Sequence, residues 1–537
     1  MTDVLLPVAI AVPLVAATLP IALGLRYDDA GWPVAAAATT ALAGIAAAIV
    51  AGVARGDRLS HALGGYSPPI GIELVADPLS AAVLALVAAV SLATLAFVRV
   101  VGPRGNSFYS GYLLLVGGLT GMTLTGDLFN LFVFLEIVGI STYALIAADR
   151  SGASAYASLK YLVVGTVGAS LYLLGVGYAF LATGTLNMLD MQAQLAQVGY
   201  GDPLVRASYA LIVAGLGLKI AVFPIHAWQP DAYQRAPDAV TTIVAALVST
   251  ASAYALLRVS YTVFTVEFLA ASDAITATML VVSGASILAG SVLAAMQSDL
   301  KRMFAYSSVA QFGMIVAAIA LANETALLGA AVHLVGHGLL KFGLFLGVGL
   351  LAYGYGARRL EELASVARAA PFTAGSIAVL ALALVGIPPS VGFLGKWYIS
   401  VGAVESSLAG GGAAGIGIAA VIFVSTLFTL SYVARLLERF YFAGVGLPGD
   451  HGEPVVADGG TSGDETAASG DDDAHDRAGP RRVSPVDGAP TVPGVPDRVP
   501  PASLAALVVA ALVAVALGFA GFGLAEWFDP FLTEVFA

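Results

Sequence analysis

Apolar runs long enough to cross a lipid bilayer recur from one end of the 537-residue chain to the other, divided by short polar connections. A hydrocarbon core about 30 Å thick takes roughly 20 helical residues to span. Water does not reach a backbone there, so each run must satisfy its own N–H and C=O groups, which only helices and closed barrels can do. Barrel strands alternate apolar and polar residues over about ten positions, and these runs do not alternate. The expected fold is therefore all-α and polytopic, with about fourteen transmembrane helices: 4–25, 33–54, 77–99, 109–126, 128–148, 157–182, 207–229, 238–262, 272–295, 303–321, 325–353, 372–398, 411–442 and 501–525. Only Gly126-Asp127 separates the fourth from the fifth, which predicts a tight hairpin or one bent unit. The first run starts at Val4 with no cationic leader and no clear cleavage site, so it reads as a retained helix rather than a signal peptide.

Lysine and arginine set the expected orientation, because cytoplasmic connections carry the excess of both. With the N-terminus outside, seventeen fall inside and four outside, the latter being Arg55, Arg58, Arg206 and Arg258. Both termini are then expected outside a cell membrane. Residues 443–500 fall inside; they hold eleven acids against four arginines, and so seven of the eleven net negative charges. A Gly/Pro/Ser-rich acidic segment of this kind cannot bury a core and is expected to be disordered. The absence of any basic patch argues against nucleic-acid binding, and the absence of cysteine excludes disulfides, iron–sulfur clusters and thiolate metal sites. The expected organisation is an N-terminal three-helix segment (1–108), two five-helix units (109–262 and 272–442), the acidic loop (443–500) and a C-terminal transmembrane helix (501–537).

Few ionisable residues interrupt the runs, and each charge there costs about 2.5–3.5 kcal/mol. They are Glu136 in the fifth run, Lys219 in the seventh, His333, His337 and Lys341 in the eleventh, and Lys396 in the twelfth. Lys219 has about ten apolar residues on each side and cannot readily snorkel to the surface; Lys396 is nearer its run's end, where snorkelling is an alternative. Burial disfavours a charged ammonium and an approaching carboxylate favours it, so lysine and glutamate together can take up and release a proton. Glu136 is the expected partner of Lys219. The spacing of His333, His337 and Lys341 puts them on one helical face, suited to a proton relay or to core histidines. Two histidines and a lysine without a carboxylate make a poor zinc site, and no metal or other cofactor is expected.

Proline breaks two of these runs. Pro224 cannot donate to the Ile220 carbonyl, and Pro388 and Pro389 cannot donate to those of Leu384 and Val385. The freed carbonyls would make polar pockets beside Lys219 and Lys396. The lysine-to-proline order reverses between the two runs, which lie five runs apart, as expected for two inverted five-helix repeats with broken helices seven and twelve.

Several motifs carry a resemblance. Thr125-Gly126-Asp127-Leu128-Phe129-Asn130-Leu131-Phe132-Val133-Phe134-Leu135-Glu136, Phe223-Pro224-Ile225-His226-Ala227-Trp228-Gln229-Pro230-Asp231-Ala232, Asp299-Leu300-Lys301-Arg302-Met303-Phe304-Ala305-Tyr306-Ser307-Ser308, His333 to Lys341 and Gly392-Phe393-Leu394-Gly395-Lys396-Trp397 span about residues 70–440. They resemble the antiporter-like subunits shared by Mrp-type Na⁺/H⁺ antiporters, respiratory complex I and membrane-bound hydrogenases, and look most like the D-type form of the Mrp antiporters. The resemblance implies a proton-translocating subunit working with other subunits on protons and Na⁺. Glu136 and Lys219 would be its input pair and Lys396 its terminal protonation site. Its alternatives are a membrane-arm subunit of a complex I-like NADH:quinone oxidoreductase or hydrogenase, whose redox chemistry would belong to partners, and a scaffold that no longer conducts. One position departs from the family: a lysine common in the eighth helix is here Thr250. A bridge from Lys219 to the eleventh run would then pass through water or Ser249, Thr250 and Ser252.

Overall fold

The computed structural model describes residues 2–56, 58–364, 366–443 and 499–536. The acidic loop expected at 443–500 lies outside them, save residues 443, 499 and 500. Helices make up nearly all of the rest. An interrupted first run, α1 (Leu5–Ala16) and α2 (Leu19–Gly24), leads to α3 (Gly31–Val53). A short antiparallel ribbon follows, β1 (Leu59–Ala62) and β2 (Glu73–Ala76). Next come α4 (Pro78–Val101), α5 (Asn106–Leu124), α6 (Leu128–Ile146), α7 (Gly152–Thr183), α8 (Met188–Val198), α9 (Pro203–Ile220) and α10 (Trp228–Arg235). Two π-helical turns, Val244–Val248 and Val259–Phe264, join α11 (Asp238–Ile243), α12 (Ser249–Arg258) and α13 (Thr265–Ala270) into one long span. The chain continues through α14 (Asp273–Ala295), α15 (Leu300–Leu321), α16 (Glu324–Tyr355), α17 (Val366–Ala369), α18 (Pro371–Val385), α19 (Val391–Ser406) and α20 (Ala414–Tyr441), and ends with α21 (Pro501–Phe519) and α22 (Gly521–Phe536).

Among the described residues, twelve helices are long and apolar enough to cross a membrane. Two of the fourteen expected runs fall outside that count for physical reasons. The 19 residues of α5 include glycines, threonines, serines and tyrosines that dilute its apolarity, although nearly all are buried. The twelfth run is cut into α18, of 15 residues, and α19, of 16.

The packing order of the two middle units matches. In one, α5 lies on α6, α6 on α7 and α7 on α9; in the other, α14 lies on α15, α15 on α16 and α16 on α19. The broken helix of each unit seats backbone to backbone on its neighbour. A Cβ at Gly215 of α9 would lie 2.5 Å from the Gly168 carbonyl of α7, and one at Gly329 of α16 would lie 2.5 Å from the Ile399 nitrogen of α19. Such approaches leave no room for a side chain.

The two breaks position the charged side chains. Helix α9 stops at Ile220, where Ala221 turns left-handed (φ 66°) and Pro224 prevents resumption. Lys219 therefore sits in the last turn of a half-helix, not in the middle of a continuous span. Side chains take the loose carbonyls: Trp228 Nε1 donates to Leu218 O at 2.9 Å and Ser249 Oγ to Lys219 O at 3.4 Å. Helix α18 ends at the left-handed Gly386 (φ 94°), and Ser390 caps α19 by accepting from Phe393 N at 3.2 Å.

The last run is also two helices, and α22 folds across the ends of α4 and α12. Trp527 Nε1 donates to Pro78 O at 2.9 Å, Glu534 pairs with Arg58, and the Phe531 ring lies 5.6 Å from the Arg258 guanidinium. Beneath it Arg258 grips Asp77 with two hydrogen bonds, of 2.5 and 2.8 Å. Burial alone would push the Asp77 carboxyl up, but the Arg258 charge and its hydrogen bonds bring it down to about 2.

Candidate functional site

The first cluster forms where α6 meets α9. Lys219 Nζ lies 3.5 Å from Glu136 Oε1; the lysine side chain is 3% exposed and the glutamate 28%. Tyr143 stands two turns along α6 from Glu136 and accepts a hydrogen bond from Lys219 Nζ at 3.4 Å. Between them is Gly139, where a Cβ would come within 3.2 Å of Lys219 Nζ and 3.1 Å of the Tyr143 hydroxyl. A glycine here leaves space for the ammonium. The tyrosine, a neutral residue in an apolar run, does not stand out in the sequence, although its seven-residue spacing from Glu136 is an available signal.

From Lys219 a polar group leads toward the second unit. Ser249, which bonds the Lys219 carbonyl, also accepts from Gln229 Nε2 at 3.2 Å and lies 3.4 Å from the Tyr233 hydroxyl. The Tyr233 ring meets Phe345 edge-on at 5.7 Å, and Phe345 contacts Phe304 in turn. Of the three residues expected to bridge, Ser249 makes this contact. Thr250 is buried with no hydrogen-bond partner for its hydroxyl among the described residues, and Ser252 bonds its own helix at Val248 O. The preceding π-helical turn, Val244–Val248, widens the helix where these residues face inward.

The second cluster spans α15, α16 and α19. Lys341 Nζ donates to Phe304 O at 2.7 Å and Ser307 Oγ at 2.5 Å. His337 and His333 follow at one-turn intervals with ring centroids 6.0 Å apart, and all four ring nitrogens lack partners among the described residues. His333 packs on Gly395, where a Cβ would lie 2.6 Å from its own Cβ. Lys396, the next residue, donates to Leu384 O at 2.8 Å and Val385 O at 2.9 Å. Those are the two carbonyls that Pro388 and Pro389 leave free. No carboxylate reaches Lys341 or Lys396 within 4 Å among the described residues, so a charge on either has no counter-ion.

At one end of the bundle two ionic bridges tie the break of the first unit to the second. Asp231 of α10 binds Lys160 at 2.6 Å and Arg302 at 2.9 Å, while Asp238 binds Lys301 at 3.1 Å and Arg358 at 3.0 Å. Burial would raise the Asp231 carboxyl, but hydrogen bonds and charge from Lys160 and Arg302 hold it below its ordinary value. None of these groups stands out from the sequence as a site residue, although Asp231, Lys301 and Arg302 lie in the motifs quoted above.

A carboxylate paired with a buried lysine, two prolyl breaks and a histidine–lysine file on one helix make a combination that the family comparison decides. Residues 125–423 match the family described as NADH:quinone oxidoreductase/Mrp antiporter, transmembrane. The chain belongs to this family. It is 42% identical over 438 residues to an NADH-quinone oxidoreductase subunit N of Desulforudis audaxviator, covering 79% of this chain and 84% of that one. It is 30% identical over 383 residues to a D-type Na(+)/H(+) antiporter subunit of Bacillus subtilis, covering 71% of this chain and 75% of that one. Its fold superposes on a chain of the Mrp complex from Dietzia sp. DQ12-45-1b with a TM-score of 0.80 at 28% identity, over 100% of this chain and 99% of that one. The chain is thus an antiporter-like, multi-pass membrane subunit of the kind found in Mrp and complex I-like assemblies.

Proposed function

We propose that the chain translocates protons as one subunit of a multisubunit Na⁺/H⁺ antiporter in the cell membrane, with both termini outside and its two five-helix units inverted relative to each other. The observation that carries this reading is the Glu136–Lys219 pair, its lysine buried and set in the last turn of a broken helix. While Glu136 is close, the ammonium is favoured; when the two separate, the proton becomes easier to release. It would pass from Lys219 by way of Ser249 toward Lys341, His337 and His333, and end at Lys396, which sits beside the second break. The likeness to the Bacillus antiporter subunit and to the Dietzia Mrp complex supports the antiporter assembly and Na⁺ as the exchanged cation.

Lys219→Ala should abolish dye-reported Na⁺-driven ΔpH in everted vesicles while leaving the chain at normal levels in the membrane. Full activity in that variant would remove the lysine from the mechanism. A second reading is favoured by the 42% identity to a subunit N: a proton-pumping membrane-arm subunit of a quinone-linked oxidoreductase. Purifying the intact complex separates the two. Small antiporter subunits alone support the first reading, and cluster-bearing redox subunits the second.

A further inference from the structure

Gln311 of α15 is fully buried, and neither its amide oxygen nor its amide nitrogen finds a hydrogen-bond partner among the described residues. Burying such a group dry is costly, and nearly all buried polar groups are paired with protein or water. Packing alone would be served by leucine or methionine of similar volume.

Its place in the fold gives the side chain a use. Helices α15 and α16 are joined by Ala322 and Asn323, so they run antiparallel, and a step of one turn up α15 is matched by a step of one turn down α16. Ser307 holds Lys341. Four residues on along α15 is Gln311; four residues back along α16 is His337, whose ring meets the adjacent Phe312 at 4.9 Å. Gln311 is therefore level with His337, on the face that carries the lysine's hydroxyl partner one turn away. The Thr250 hydroxyl and both ring nitrogens of His337 are likewise buried and without partners among the described residues, and α12 packs on both α15 and α16. Each of these three mutually packed helices thus carries a buried polar group without a protein partner among the described residues.

We infer that Gln311 is a positioning residue for proton transfer: its amide, which both donates and accepts, holds ordered water between the Ser307–Lys341 contact and the His337 ring. The amide itself does not titrate. It keeps a hydrogen-bonded water beside the histidine where an apolar side chain would leave a dry gap. A carboxamide can serve because it offers two donors and an acceptor with two lone pairs.

This inference rests on the proton-translocating reading above. The test compares Gln311→Leu, Gln311→Glu and Lys219→Ala in the intact complex, in everted vesicles and after purification. Gln311→Leu is expected to slow proton transport about tenfold, Gln311→Glu is expected to retain most of it, and both should assemble normally. Hydroxyl-radical footprinting, which labels side chains next to bound water, should show less modification of Phe312 in Gln311→Leu than in the parent. Unchanged transport and unchanged Phe312 labelling, with a higher melting temperature from loss of an unpaired amide, would overturn the inference. Loss of transport in both Gln311 variants with labelling unchanged would also overturn it, since the amide would then act through packing. If Lys219→Ala keeps full transport, the underlying reading fails; if only Gln311→Leu is silent, the role of Gln311 alone fails.

Discussion

Lys219 faces a carboxylate 3.5 Å away, whereas Lys396, beside the other proline break, is held only by the Leu384 and Val385 carbonyls at 2.8 and 2.9 Å among the described residues. Both lysines are buried in the core of a broken helix, so burial does not distinguish them. The counter-charge does. A proton on Lys219 is balanced while Glu136 stays close. A proton on Lys396 or Lys341 adds a net charge that only dipoles stabilise, and an uncompensated charge in an apolar medium is expensive. On the proposed reading, the first unit would keep a proton until a partner moves, and the second would hold one only in passing. The side of the break matters as well. Lys219 precedes its break and lies in the last turn of α9, near the negative end of that half-helix; Lys396 follows its break in the second turn of α19.

Removing the counter-charge tests this contrast most severely. Glu136→Gln keeps size and hydrogen-bonding capacity but takes the carboxylate from Lys219. Losing a positioned proton-transfer partner usually costs 10²–10⁴-fold in rate, so transport should fall by about 100-fold in everted vesicles. A variant within a factor of two of the parent would show that the pair is a packing feature. Lys396→Arg comes next. Guanidinium fits carbonyl acceptors but does not release its proton in this pH range, so transport should drop about tenfold with membrane levels intact. Normal transport with a permanent cation there would mean that the route does not pass through Lys396.

How much of this is readable without the fold depends on the kind of signal. Membrane-length runs declare themselves because bilayer thickness fixes their length, and Glu136, Lys219, His333, His337, Lys341 and Lys396 stand out because apolar helices rarely carry such groups. Proline chemistry names the free carbonyls of Leu384 and Val385, and those are the acceptors that hold Lys396. The illegible parts are of two types. Tyr143, Ser307 and Gln311 are neutral residues whose importance comes only from what folds against them. The Asp77–Arg258 pair joins residues 181 apart, a separation that no local pattern bridges. The end of α9 is also hidden, because alanine seldom adopts the left-handed conformation that Ala221 takes.

Two glycine variants sharpen the contrast at smaller scale. At Gly139 an added methyl would meet the Lys219 ammonium and the Tyr143 hydroxyl, both far ends of flexible side chains. At Gly395 it would meet the Cβ and Cα of His333, at 2.6 and 2.8 Å, which cannot turn aside. Overpacking of this kind costs about 1–3 kcal/mol, so Gly395→Ala should lower the melting temperature of the purified complex more than Gly139→Ala does. Equal shifts would mean that α16 and α19 yield as easily as a lysine tip.

The smallest effect belongs to an aspartate that touches both units, Asp231 between Lys160 and Arg302. Its bridges are half-exposed, and exposed pairs contribute about 0–1 kcal/mol, screened by salt. Because the folded carboxyl is held below its unfolded value, the contribution is present above the ordinary carboxylate range and fades as pH falls through it. Asp231→Asn should therefore lower the melting temperature slightly at pH ~7 and low salt, by less in high salt, and progressively less as pH falls below the ordinary carboxylate range. Transport should fall no more than about twofold if the link only braces the break, in keeping with such small pair energies. A loss as large as that of Glu136→Gln would mean that movement of α10 is itself transmitted through Arg302 into α15 and the Ser307–Lys341 contact, and the two units would then be coupled by a lever as well as by a proton.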